Sequence, residues 1–165
     1  MEINIIGMGE GKELVPQTGR RWGITRVIHE MPVDVLFDIH DPKKLDNTGL
    51  FLARKQLAKD KHILFYDTEN YPLKKIIKEF GTDFFSNSVC YAIALAIHEG
   101  ATAISLYGVN HSRWNKIEYI RQKPAVDFWI GMAIGRGVKV NIYGPMSEIC
   151  KLYNGKLYGY EIACI

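Results

Sequence analysis

The sequence has no hydrophobic run long enough to cross a membrane. The apolar stretch at residues 92–97 falls far short of the roughly 20 residues that span a bilayer, and Met1 and Glu2 lead directly into a predicted strand without an export signal. We therefore expect no membrane association and a cytoplasmic location.

Cysteine is also scarce. The chain has three cysteines, Cys90, Cys150 and Cys164, and no CxxC pair. An odd number argues against the disulfide framework of a small secreted protein. The sequence predicts buried thiols in a reducing compartment.

Excess charge of one sign is missing as well. The formal net charge is only +3, which is small for a nucleic-acid-binding surface. We expect no nucleic-acid partner, and small anionic ligands suit this charge balance better. The chain also lacks a Walker A loop, an HExxH motif, a GxSxG motif and a cysteine–histidine signature.

What the sequence does contain is an alternation of strand-like and helix-like segments. A chain of 165 residues fits a single domain, residues 1–165, and can bury roughly 70% of its unfolded surface. The predicted strands are residues 2–6, 22–28, 33–39, 62–66, 103–107 and 138–143. The predicted helices are residues 49–59 after an Asn47-Thr48 cap, 72–80, 89–98 after a cap at Asn87 or Ser88, 116–136 with a break at Lys123-Pro124, and 146–153.

The connections between strands in the second half have the length of helices, which indicates right-handed βαβ units. The predicted fold class is therefore α/β, a Rossmann-like three-layer α/β/α domain with a mostly parallel sheet. In such sheets ligands bind beyond the carboxyl ends of the strands, where helix N-termini offer free N–H groups. The candidate ligand-binding residues at these strand exits are Gly7, Gly9, Glu10, Gly11, Thr25, Arg26, Asp38, His40, Asp41, Ser86, Asn87, Ser88, Gly108, Asn110, His111 and Arg113.

Each group of candidates has a structural alternative. The first loop lacks the third glycine of GxGxxG and is as well explained by a tight turn. Ser86, Asn87 and Ser88 hold an anion or cap a helix. Asp38, His40 and Asp41 bind a metal, act as acid and base, or form an ordinary turn.

His111 is the single catalytic candidate. It follows a glycine-bearing strand exit and has Arg113 near it, so that a general base lies beside an anion-binding guanidinium. The alternative is a loop histidine without a chemical role. No metal and no definite cofactor are assigned beyond a nucleotide or nucleotide-derived ligand.

Several motifs together resemble one superfamily. They are Ser-Asn-Ser at residues 86–88, Val-Cys-Tyr-Ala-Ile-Ala-Leu-Ala-Ile-His-Glu-Gly-Ala at 89–101, Ala-Ile-Ser-Leu-Tyr-Gly-Val-Asn-His at 103–111, and Ile-Ile-Gly-Met-Gly-Glu-Gly at 5–11. The pattern is similar to the Rossmann-like core of the motility accessory factor and MptE-like (6-hydroxymethylpterin diphosphokinase) families, and to that of bacterial CMP-sialic-acid sialyltransferases. The resemblance covers nearly the whole chain. It implies a nucleotide held by the first glycine loop, by Thr25-Arg26 and by the serine loop.

The chain also departs from these families at Glu10-Gly11, where Pro-Ser is usual, at Ser88-Val89, where Ser-Gly is usual, and at Asn110, where aspartate is usual. These departures favour a binding protein over an enzyme. The first hypothesis is an oligomeric nucleotide-binding core that sequesters a signalling nucleotide of a host defence system, as stand-alone proteins of this size resemble phage or prophage products. The second is a small nucleotide-dependent transferase for glycosyl or diphosphoryl groups, with His111 or Asp41 as base and Arg26 or Arg113 on the phosphate. The third is an interaction module whose exit loops are simple turns.

The two nucleotide hypotheses depend on one geometric expectation. The glycine turn near Gly9 and the helix start near Ser88 must lie side by side and form a cradle for phosphate, and a structure with these segments on opposite rims of the sheet would contradict both.

Overall fold

The structure is a computed structural model that describes residues 1–41, 43, 48–110 and 117–144, apart from the side chain of Tyr119. The predicted helix at residues 146–153 and the predicted cap residue Asn47 lie outside these residues, as do Cys150 and Cys164.

The chain forms one sheet of six parallel strands in the order β4-β3-β2-β1-β5-β6. The strands are β1 (Glu2–Ile6), β2 (Arg20–Ile24), β3 (Val35–Phe37), β4 (Leu64–Tyr66), β5 (Ala103–Tyr107) and β6 (Lys139–Tyr143). The helices are α1 (Thr48–Asp60), α2 (Leu73–Phe80), α3 (Ser88–His98) and α4 (Ile117–Gly135), with two short 3-10 helices at Lys12–Leu14 and Thr25–His29.

Strand β1 lies in the middle of the sheet. The chain runs outward through β2, β3 and β4 on one side, then crosses back to place β5 and β6 on the other. This reversal between β1 and β5 is the topological switch point of a doubly wound sheet. Two hydrophobic clusters cover the two faces, one built around Ile5, Trp22 and α3, the other around Ile6 and Phe51. The predicted Rossmann-like α/β/α fold is confirmed.

Helix α3 is buried because it is apolar on nearly all sides. Its residues from Ser88 to Ile97 are buried except Tyr91, and Tyr91 accepts a hydrogen bond at its carbonyl from the Tyr71 hydroxyl at 2.9 Å. Burial also raises the pKa of the Cys90 thiol. The predicted buried helix is confirmed.

The predicted strand at residues 22–28 is wrong in its second half. The strand ends at Ile24, and Thr25–His29 forms a 3-10 helix instead. The run contains β-branched residues, which favour a strand locally, but burial of Val27 and Ile28 against the second core cluster turns the backbone.

The predicted break at Lys123-Pro124 is also wrong, because α4 continues through Pro124. Proline removes one helical hydrogen bond and disfavours helix before it. Here Ala125, Val126 and Trp129 are fully buried directly after it. Packing of this segment therefore keeps the two halves of the helix together. Within the described residues, no helix is both long and apolar enough to cross a membrane.

Candidate functional site

The loops that leave β1 and β5 bind each other through their backbones. The N–H of Gly7 donates to the carbonyl of Tyr107 at 2.8 Å, and the N–H of Gly9 donates to the carbonyl of Gly108 at 2.7 Å. A Cβ atom on Gly7 would lie 2.5 Å from the Gly108 oxygen, and one on Gly9 would lie 2.6 Å from it. Both glycines are therefore required by the contact between the loops.

Groups of the same chain also surround Gly11, at the end of the glycine loop. The N–H of Gly11 lies 3.1 Å from both carboxylate oxygens of Glu13, and a Cβ on Gly11 would lie 2.7 Å from Gly144 Cα. Glu10 is exposed, and Asn110 is half-buried. The amides of all three glycines in this loop thus have acceptors inside the protein, and close packing explains the glycine pattern without a phosphate.

Two residues of the serine loop, residues 86–88 at the start of α3, also form hydrogen bonds within the protein. Asn87 is the cap of α3, since its Oδ1 accepts from the N–H groups of Val89 at 3.0 Å and Cys90 at 3.2 Å. Ser86 Oγ donates to the carbonyl of Gln122 at 2.9 Å. Ser86 and Asn87 therefore join α3 to α4.

Strands β2 and β3 end side by side, because Ile24 pairs with Phe37 in the last rung between them. Thr25 and Asp38 each follow this rung directly. Ser88 lies beside them, since its Oγ accepts from the backbone N–H of the residue after Asp38 at 3.2 Å. The start of α3 thus lies at the exits of β2 and β3, on the same rim of the sheet as the other strand exits. We call Thr25, Arg26, Asp38, His40 and Ser88 the β2–β3 exit site.

Thr25 has an unfavourable backbone conformation. Its φ of 47° is positive, and a β-branched residue in this region is an outlier. Such strain costs about 1–3 kcal/mol and concentrates at binding and catalytic sites. The next residue, Arg26, is exposed. A strained turn therefore presents a guanidinium at the carboxyl edge of the sheet.

Asp38 is the centre of a buried ionic cluster. Its side chain is 0% exposed; Oδ2 lies 2.6 Å from Arg54 Nε, and Oδ1 lies 2.6 Å from His40 Nδ1. A carboxylate only accepts hydrogen bonds, so His40 Nδ1 must carry a proton when this bond forms. In the neutral ring, Nε2 then remains as the acceptor. The bond to Asp38 fixes the orientation of the His40 ring, and the His40 side chain is 43% exposed. The arrangement is therefore an accessible histidine oriented by a buried carboxylate.

Arg54 is the residue that the sequence analysis missed. It lies in α1 and is 8% exposed. Phe51 and Ala58, three residues before and four residues after it, are also buried. A charged residue in the buried stripe of a helix is the sequence signal that could have identified a partner for a buried carboxylate. Leu50 of the same helix is 54% exposed.

Asp41 after β3 and Asp67 after β4 both form turns. Asp41 Oδ1 accepts from the N–H of Lys43 at 3.0 Å, which is the turn alternative. Asp67 after β4 is bound by Lys55 at 2.7 Å and by the N–H of Glu69 at 2.9 Å. Burial acts to raise the Asp67 pKa, but these hydrogen bonds outweigh it and the pKa is lowered. No group of three or more metal-binding side chains occurs among the residues that the structure describes.

The structure thus brings together five of the predicted residues at the β2–β3 exit site. It assigns packing or capping contacts to Gly7, Gly9, Gly11, Gly108 and Asn87. His111 and Arg113 lie outside the described residues.

Comparison of the chain with protein-family models, with curated proteins and with solved structures gave no match. The case for function therefore has to be made from the site itself.

Proposed function

We propose that the protein binds a nucleotide-derived small molecule at the β2–β3 exit site. The observation that carries the proposal is the strained Thr25 turn, which holds an exposed Arg26 at the carboxyl edge of the sheet. Strained backbone residues cluster at ligand-binding and active sites, and a guanidinium offers bidentate hydrogen bonds to phosphate.

The glycine loops support this choice of site. The amides of Gly7, Gly9 and Gly11 are bound inside the chain, so the proposal assigns the phosphate to Arg26, with His40 one strand further along the rim. Ser88 and the N-terminus of α3 add a positive dipole end to the same rim. The ligand in this proposal is anionic and is recognised mainly by side chains.

Sequestration of a signalling nucleotide is the biological role proposed for such a binding protein. It agrees with the departures from the enzyme families at Glu10-Gly11 and Asn110, and it needs no reaction. Mass spectrometry of small molecules released from the purified, denatured protein tests this role directly. Recovery of an unmodified nucleotide supports it, and recovery of a cleaved or transferred product contradicts it.

Thermal shift measurements with mononucleotides, nucleotide sugars and cyclic dinucleotides test binding itself. A ligand at about 100 times its Kd stabilises by ~2.7 kcal/mol, which for a chain of this size raises Tm by roughly 5–11 °C. Arg26→Gln should weaken binding about 10- to 100-fold through the lost charged hydrogen bonds. Arg20→Gln, at the opposite end of β2, is the matched control and should leave binding unchanged. If no compound shifts Tm and none is recovered, the exit loops are turns of an interaction module.

A small nucleotide-dependent transferase is the second candidate, and the bond between His40 and Asp38 is the observation that favours it. In this mechanism His40 Nε2 removes the proton from an acceptor hydroxyl, Asp38 orients the ring, and Arg26 stabilises the charge that develops on the leaving phosphate. This candidate takes His40 as the base, since Asp41 accepts from the N–H of Lys43 in a turn; the role of His111, which lies outside the described residues, stays a prediction. His40→Gln should reduce turnover at least about 100-fold while nucleotide affinity changes little. Unchanged turnover in this variant excludes the role of His40.

A further inference from the structure

Arg21 in β2 is a buried arginine whose side chain has no partner. The residue is 6% exposed, and its Nε atom is buried without an acceptor. In the part of the chain that the structure describes, its guanidinium forms neither a hydrogen bond nor an ion pair. Arginine is almost never fully buried unless it is paired, because removal of a charge from water is strongly unfavourable. The burial of Arg21 therefore indicates an anionic partner that the described residues do not supply.

The carboxylate next to Arg21 in the sheet, that of Asp34, is bound to the backbone instead. Its Oδ2 atom accepts from the Arg21 N–H at 2.7 Å, and Asp34 is exposed. We call the face of the sheet with the cluster around Ile6 and Phe51 the second face. The Arg21 side chain points to it, since side chains alternate along a strand and Trp22 lies in the cluster on the other face. Nη1 and Nη2 are unpaired but not fully buried, so an anion in solution can reach them.

On the second face, Arg21 stands at one end of a row of polar side chains that crosses the sheet. Asn4 of β1 is its partner in register, Ser105 of β5 is the partner of Asn4, and Asn141 of β6 is the partner of Ser105. Neighbouring strands are about 4.8 Å apart, so the row is roughly 14 Å long. Strands of a parallel sheet are normally apolar on both faces. A continuous polar row beside an unpaired guanidinium therefore points to a polar ligand. We call these four residues the polar row.

The polar row is accessible from solvent. Helix α3 packs against β1, β2 and β3, and α4 packs against β6, both with the cluster on the other face. On the second face, α1 packs against β4 at the edge of the sheet. Asn4, Ser105 and Asn141 are half-buried, and Asn141 Nδ2 donates to Ser105 Oγ at 3.2 Å. A small molecule can thus contact the row and the guanidinium together.

We propose that the polar row is a second binding site, for a small molecule with a phosphate or carboxylate at one end and hydroxyl groups on its uncharged part. The anionic group pairs with Arg21, whose forked guanidinium offers two parallel hydrogen bonds to either anion. The amide and hydroxyl groups of the other three side chains bind the uncharged part. The site lies in the amino-terminal half of β2, away from Thr25, and does not depend on the ligand proposed for the β2–β3 exit site.

Thermal shift measurements of the full chain with inorganic phosphate and with acetate test the anion site. The ionic strength is held constant with NaCl, and Arg26→Gln is the background, so that the exit site does not contribute. At about ten times its Kd, the preferred anion should raise Tm by roughly 3–6 °C. A larger shift with phosphate assigns a phosphorylated ligand, and a larger shift with acetate assigns a carboxylated one.

Arg21→Met in the same background shows whether Arg21 is the anion ligand. It keeps the aliphatic part of the side chain and removes the unpaired charge, so the Tm shift with the anion should disappear. Without the anion, Tm should rise or stay unchanged, because no ion pair within the chain is lost. Arg20→Met is the matched control. Arg20 is the preceding residue and its side chain is 45% exposed, so this variant should keep the Tm shift.

Ribose 5-phosphate tests the remainder of the polar row. It should bind about tenfold more tightly than inorganic phosphate, through one or two added hydrogen bonds. Asn4→Ala should remove most of this gain and leave the affinity for inorganic phosphate within about twofold. Equal affinities for the two compounds exclude Asn4, Ser105 and Asn141 from the site.

Three results overturn the anion site itself. They are the absence of a Tm shift with both anions, a shift that persists in Arg21→Met, and a fall in Tm of more than about 4 °C for Arg21→Met without an anion. The last result would mean that Arg21 has its partner within the chain. None of these results bears on the β2–β3 exit site, because Arg26 is already replaced in the background.

Discussion

Removal of the guanidinium of Arg54 tests whether the buried cluster around Asp38 is held by ionic pairing. Asp38 is 0% exposed and lies 2.6 Å from Arg54 Nε. Arg54→Met keeps most of the buried side-chain volume but leaves a buried carboxylate whose other side-chain hydrogen bond within the described chain is to His40 Nδ1. Loss of one partner from a buried ion pair costs about 3–5 kcal/mol. For a protein of this length that corresponds to a fall in Tm of roughly 6–20 °C.

A second substitution makes the test stricter, because in the Arg54→Met background it should raise the free energy of unfolding, whereas alone it should lower it. Asp38→Asn removes the uncompensated charge, and the amide oxygen can still accept from His40 Nδ1. Added to Arg54→Met, it should therefore restore roughly 1–3 kcal/mol of the free energy of unfolding, although each change alone is destabilising. Urea denaturation of the two single variants and the double variant measures this coupling. Arg26→Met is the exposed control and should change stability by less than about 0.5 kcal/mol. A loss below 1 kcal/mol for Arg54→Met, or a double variant weaker than Arg54→Met, would refute the reasoning.

Three further predictions concern other parts of the fold. Gly108→Ala should destabilise the protein more than Gly81→Ala. Both residues have positive φ, but only at Gly108 would a Cβ meet backbone, 2.7 Å from a carbonyl oxygen of the first loop. Chemical denaturation of the two variants compares their free energies of unfolding. Cys90 should resist alkylation in the native protein at pH 8 and react on unfolding, since burial raises its pKa; peptide mapping by mass spectrometry tests this, and rapid native labelling would contradict it. The lowered pKa of Asp67 adds stability above its unfolded value of 3.8 that is lost as the pH falls through the lower native value. Asp67→Asn should therefore flatten the fall of Tm below about pH 4, and Lys55→Met should do the same if their ion pair is the source.

The main strands and the buried helix α3 could be predicted because their signals are local. Residues 103–107 are apolar and β-favouring between turns, and they form β5 as predicted. Gly81 closes α2 in the left-handed conformation expected of a glycine at a helix end. Errors arose where distant packing decides the backbone, as at Thr25–His29 and at Pro124 inside α4.

The candidate site was predictable in position but not in its contacts. Residues that follow parallel strands lie on one rim, which is why Thr25 and Asp38 were candidates, whereas Ser88 was a candidate because it starts a helix. The burial of Asp38 with Arg54 joins residues 16 positions apart in the chain, and nothing in the spacing alone pairs them. Likewise, Gly9 looked suited to a phosphate, whereas the carbonyl of Gly108 that occupies its N–H comes from a loop far along the chain.

The closed switch point changes how a ligand would be recognised. In an open doubly wound sheet, backbone amides between β1 and the neighbouring crossover strand hold a phosphate through fixed dipoles. Here those loops bind each other, and the proposed recognition is instead by side chains one or two strands away, above all Arg26 and His40. Recognition by side chains does not require glycines in the loop, but the binding side chains must be held in a fixed position. Three features of this site could hold them: the buried Asp38, the hydrogen bond of Ser88 to the chain after β3, and the strained backbone of Thr25. The proposed ligand site rests on this combination of a strained Thr25 and a buried Asp38 at neighbouring strand ends.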